Sequence, residues 1–114
     1  MFTPQNLLFF YHKMTTKQKI TATVYDRRGR VLSIGINSYE KTHPRQAFLA
    51  KRVGMPERQY LHAEISALVK CRGKPYKIQI ERRNSQGQLQ LAKPCPICEL
   101  AIREAGIKFV EYSI

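Results

Sequence analysis

The chain has 114 residues, with 43% hydrophobic and 25% charged, which is enough for one domain with one core and too little for two. Twenty Lys and Arg stand against eight Asp and Glu, a net charge of +12 at pH 7, which reads either as a solvated face that favours Lys and Arg or as a surface for a polyanionic partner such as a nucleotide phosphate or a nucleic-acid backbone. No apolar run approaches the roughly 20 residues needed to span a bilayer, and an odd count of three cysteines argues against a disulfide framework. The expectation is a cytoplasmic protein with no membrane partner.

Along the chain, residues 1–18 contain the apolar stretch Asn6 to Tyr11, which lacks a cationic start and a small-residue cleavage site. It is expected to pack on the domain as a helical segment, leaving residues 19–114 as the domain itself. Ile20, Ala22 and Val24 alternate with Thr21, Thr23 and Tyr25, and Asp26 to Gly29 is turn chemistry, so a hairpin is predicted whose second strand runs Val31 to Ile36. The segment from Tyr39 to Tyr60 carries two prolines and a glycine around a short helical stretch, Gln46 to Val53. It is the longest irregular connection, the kind of loop that often carries function.

Leu61, Ile65, Leu68 and Val69 then recur at helical spacing and predict an amphipathic helix ended by Gly73 and Pro75. Alternation returns from Tyr76, with Asn84 to Gly87 as a turn. A second main helix is predicted over Pro96 to Ala105, stopped at Gly106, and Ile107 to Ile114 closes the chain as a strand. There is no internal repeat. The order describes one α/β domain, a sheet layered with helices.

Cys95 and Cys98 stand two residues apart at the start of that second helix, where the positive end of the helix dipole favours thiolate. That alone suits a metal and a redox dithiol equally. Two sulfurs do not complete a zinc shell, and the histidines available as a third ligand are His12, His43 and His62. His62 begins the other main helix, so two helix amino ends can present His62, Cys95 and Cys98 to one ion. Three protein ligands with an open fourth position is the pattern of a catalytic zinc. Glu64 follows His62 by two residues, about 200° around an ideal helix, so both side chains meet only at a site lying off the helix end. If Glu64 were itself a ligand, it would close the site. Taken singly, His43 reads as a loop residue, Cys71 as a small buried hydrophobe, and Tyr25, Tyr60 and Tyr76 as packing aromatics that could also stack on bases.

His62-Ala63-Glu64 with Pro94-Cys95-Pro96-Ile97-Cys98 is the H-x-E…P-C-x-x-C pattern of zinc-dependent nucleobase deaminases. From Ile20 onward the chain resembles the cytidine deaminase-like superfamily, in motifs, their helix-start placement and the order of strands. The resemblance implies a three-layer α/β/α sandwich around one mixed sheet, in a compact version without the terminal strand and helices of that family. It implies Zn2+ on His62, Cys95 and Cys98, and Glu64 as proton shuttle. Asn37 falls where relatives keep an asparagine on the sugar of the bound nucleotide, and Ala63, His43 and Pro94 are the further residues expected around the substrate. The implied reaction is hydrolytic deamination of cytosine in a (deoxy)nucleotide or single-stranded nucleic acid. An RNA adenosine deaminase is the alternative, and a zinc-stabilised nucleic-acid-binding module without turnover is an alternative of another class. Many deoxycytidylate deaminases carry asparagine where Ser66 stands, and the Lys41 to Tyr60 loop matches no characterised subgroup. A homo-oligomer is expected, since relatives commonly complete their pockets across a subunit interface.

Overall fold

In the computed structural model, residues 18–114 are described. The helical segment expected within residues 1–18, and His12 with it, lies outside the described residues but for Gln18.

Strands β1 (Lys19–Tyr25) and β2 (Val31–Ile36) form the expected antiparallel hairpin, with a bulge between Val24 and Tyr25. Its turn is held by one side chain. The Asp26 carboxylate accepts from the backbone N–H of Arg28 and Arg30 at 2.9 Å each and from Arg30 Nε at 2.8 Å. Gly29 takes the left-handed conformation (φ 81°) that the tight return requires. Strand β3 (Lys77–Arg83) pairs antiparallel with the other edge of β1. Its far edge is shared by β4 (Leu89–Gln90), antiparallel, and β5 (Phe109–Tyr112), parallel, so the sheet is mixed.

Three helices are described: α1 (Pro44–Arg52), α2 (Ala63–Lys70) and α3 (Pro96–Glu104). Helix α1 begins two residues before the expected Gln46, because the His43 ring caps it and Pro44 has the φ that a first turn wants. One core cluster joins α2 and α3 to the sheet through Ala63, Ala67 and Ile102 against Ala22, Val24, Ile78 and Ile80. A second cluster, Leu49, Ala50, Ile65, Ile97 and Cys98, stacks α1 on the far side of α2 and α3. Fully burying a side chain such as Leu49 or Ile97 contributes about 2 kcal/mol each. The described helices therefore lie on one face of the sheet. The described residues thus form a mixed α/β architecture, the sheet and one helical side of the expected α/β/α sandwich.

One close approach sets the height of α2 above the sheet. A Cβ at Gly35 would overlap the Ala63 carbonyl oxygen and the Ala67 amide nitrogen, so only glycine lets β2 and α2 come this near. Ser33 Oγ donates to the Ala67 carbonyl at 2.7 Å in the same seam. The seam fixes the amino end of α2, where His62 sits.

Candidate metal centre

His62 and Cys95 are the N-cap residues of α2 and α3, both with extended backbone, and neither side chain caps its own helix. The side chains turn toward each other instead. His62 Nδ1 lies 3.3 Å from Cys98 Sγ and 3.5 Å from Cys95 Sγ, and the three ligand atoms all lie within 4.8 Å of one another. Two donors held at about 2.0–2.3 Å from one ion at near-tetrahedral angles sit about 3.5 Å apart, so the donor set and its spacing fit zinc. The imidazole beside both sulfurs distinguishes this from a simple dithiol. Among the described residues no other group of three His, Cys, Asp or Glu side chains converges in this way. Cys71 is half-buried at the carboxyl end of α2, packed against the sheet-side core.

The electrostatics of the cluster's own side chains follow from their crowding. The Cys98 thiol donates to Cys95 and the His62 ring lies against it, and together they hold Cys95 down to about 4 despite burial. Cys98 is pushed up because it is the donor to Cys95, is buried and faces Glu64. His62 is raised, chiefly by its hydrogen bond with Cys95. One thiolate beside a readily protonated imidazole is a site where a divalent cation can take the proton's place, and such an ion deprotonates a coordinating thiol outright.

Glu64, on the first turn of α2, is 5% exposed and its carboxyl is raised, first of all by burial. Its charge is among the neighbours that push the Cys98 thiol up. Glu64 thus meets the cluster off the helix end, beside the three converging ligand atoms rather than among them. Together with His62 and Cys95 it lines a cavity of about 500 Å³. Tyr60 and Asn37 form part of the wall, and Arg58, Arg82 and Lys93 bring positive charge to it.

Of the four residues expected around the substrate, Asn37 alone reaches this cavity. Its amide is also structural: Oδ1 accepts from Ile20 N at 2.8 Å and Nδ2 donates to the Gln18 carbonyl at 3.0 Å, tying the end of β2 to the start of β1. The other three lie away from this cavity. His43 Nδ1 accepts from Arg45 N at 3.0 Å as the cap of α1, and its ring lines a separate cavity with Leu68 and Glu104. Ala63 is fully buried against the sheet, because the first position of α2 faces Gly35. Pro94 is buried and borders another cavity, beside Ile102 and Tyr112.

Gln46 is a residue that sequence reasoning missed. It is fully buried; its Oε1 accepts from the His62 backbone N–H at 3.1 Å and its Nε2 donates to the Arg58 carbonyl at 3.1 Å. One side chain from α1 thereby positions both a metal ligand and the cationic wall. The available signal was its spacing, three and four residues before Leu49 and Ala50 on the same helix face. Gln46→Ala is expected to lower stability by about 2 kcal/mol, since it orphans a buried donor and acceptor. Zinc should be held about 10–100-fold more weakly, as when an outer-shell partner is removed. Thermal unfolding and chelator competition read the two effects, and unchanged zinc affinity would remove Gln46 from the site.

The family model for the cytidine and deoxycytidylate deaminase zinc-binding region matches residues 9–114. No curated protein matches the chain. Among the described residues no helix is long and apolar enough to cross a membrane.

Proposed function

The chain belongs to the cytidine and deoxycytidylate deaminase zinc-binding family, and from that premise we propose a hydrolytic deaminase that converts cytosine to uracil in a nucleotide or a single-stranded nucleic acid. The observation that carries the reading is the placement of Glu64, a buried carboxylate on the same cavity as His62 and Cys95. A zinc that only holds a fold has no need of an acid–base group beside it, which weighs against a binding module without turnover.

Zinc held by His62, Cys95 and Cys98 supplies Lewis-acid activation of water, giving a nucleophile near neutral pH. The work of the protein's own residues follows. Glu64 takes the proton of the attacking water and returns it to the ring nitrogen of the base. It then carries the second proton to the leaving amino group, so that water is consumed and ammonia released at C4. The aromatic ring of Tyr60 and the apolar side chains of Ile20 and Leu61 offer the base a partly apolar berth. Arg58, Arg82 and Lys93 provide the charge a phosphate would meet.

Ammonia release across cytosine and adenine nucleosides, nucleotides and short single strands tests this reading. Cytosine nucleotides or strands are expected to exceed the bare nucleoside by about 10–100-fold in kcat/KM, the worth of one or two charge-assisted hydrogen bonds. Cytidine turned over as fast as any phosphorylated form would contradict the role given to the cations. Release from adenine strands alone would move the base assignment to adenine.

A further inference from the structure

A second cavity of about 500 Å³ lies away from the metal centre, lined by Arg27, Arg28, Arg30, Lys74, Tyr76 and Lys108 among others. Strand β1 runs from Ile20, on the metal cavity, to Tyr25, next to Asp26 on the second cavity. Seven residues at about 3.3 Å each place the two cavities roughly 20 Å apart, at opposite ends of the sheet.

Among the described residues the only acid on this second cavity is Asp26, and its carboxylate is engaged by two backbone amides of the turn and by Arg30. Among the same residues Arg27, Arg28, Lys74 and Lys108 have no acidic partner. Lys74 and Lys108 follow the carboxyl ends of α2 and α3, so balancing helix dipoles accounts for them in part. It does not account for Arg27 and Arg28, which stand on the hairpin tip. That tip is pre-ordered by Asp26, so its arginines lose little backbone freedom on meeting an anion.

We propose that this hairpin-end cavity binds the phosphate backbone of a single-stranded nucleic acid whose target base occupies the metal cavity. The proposal rests on the deaminase reading and narrows its substrate class to the polymer. A mononucleotide can occupy one of two cationic cavities about 20 Å apart, whereas a strand can engage both. Single-strand grooves commonly span about 4–16 nucleotides, which matches that reach.

The test is fluorescence anisotropy with the zinc-loaded full chain, using labelled cytosine-containing single strands of about 2 nucleotides, too short to reach both cavities, and of about 20 nucleotides over a range of salt. The variant carries Arg27→Ala, Arg28→Ala, Lys74→Ala and Lys108→Ala; Arg30 is kept because it pairs with Asp26. A control removes equal charge elsewhere, through Lys41→Ala, Lys51→Ala, Lys70→Ala and Arg103→Ala, all exposed positions. The wild-type chain is expected to bind the long strand at least about tenfold more tightly than the short one, and the cavity variant to lose that advantage. Its slope of log K against log salt should fall by about 2–3, at roughly 0.7 for each phosphate no longer neutralised. Short-strand affinity, zinc content and unfolding temperature should match wild type, and the control variant should bind as wild type does.

Equal weakening in both variants would show that bulk charge is responsible and overturn the proposal. Unchanged long-strand binding in the cavity variant would overturn it too. Loss of mononucleotide binding instead would assign the cavity to a free nucleotide. Because binding is read without turnover, a chain that releases no ammonia yet needs the cavity for long strands would sink the deaminase reading and leave the cavity standing.

Discussion

Glu64→Gln is expected to keep one zinc per chain and an intact fold while turnover falls by about 10²–10⁴-fold, the usual worth of a positioned acid–base group. The amide has nearly the volume of the carboxyl, so the packing around this 5%-exposed side chain is preserved. It cannot carry a proton. The metal-free fold should even gain from the change. Burial raises the Glu64 carboxyl, so ionising it in the folded chain costs stability that is fully present below its ordinary value and is lost as pH rises through the raised one. The glutamine form is therefore expected to unfold at a higher temperature than wild type near neutral pH, with the gap closing toward acid. Turnover close to wild type would give the proton to another group. A variant that loses its zinc would make Glu64 a ligand, and the reading as a binding module would gain.

Zinc removal carries the second large effect. The cluster ties the amino ends of α2 and α3 together, and Cys98 is fully buried in the core cluster that also holds α1. Stripping the ion leaves a thiolate at Cys95 and a thiol at Cys98, raised by its hydrogen bond to Cys95 and by burial, packed against a half-buried imidazole and a buried carboxyl. Binding linked to folding at about 1,000 times the dissociation constant contributes about 4 kcal/mol. For a domain of this size that corresponds to a loss of at least about 10 °C in unfolding temperature. Cys98→Ser should show a similar loss and fail to regain it when zinc is added. An unfolding temperature independent of both chelator and Cys98→Ser would mean that the ion does not tie the helices together.

The elements that position the site were legible because their periodicities are simple. Alternation in β1 and β3 and the helical spacing of Ile65 and Leu68 each describe one core-facing side, whereas Leu61 precedes α2 and Val69 is exposed. The metal triad was legible for a different reason: helix starts are marked in sequence by Pro96 and by the end of an irregular loop, and both helices place their first residues at one end of the sheet. Neighbourhood along the chain was the poor guide. Ala63 is joined to His62 covalently, yet the first turn of α2 directs it under Gly35 and into the core. Pro94 adjoins Cys95 and borders another cavity, while His43 is spent on capping α1. Gln46, by contrast, is 16 residues from His62 and bonds its backbone directly. Arg82 and Lys93 reach the cavity from β3 and from the loop before α3. These are products of packing between elements, for which a single sequence carries no local pattern.

The decisive experiment is to titrate zinc into metal-free protein and follow ammonia release from a cytosine-containing nucleotide or strand together with zinc bound per chain. Activity is expected to rise in step with zinc, to level off at one zinc per chain, and to be missing from Glu64→Gln at the same zinc content. One zinc per chain with no ammonia released from any cytosine or adenine substrate would contradict the deaminase reading.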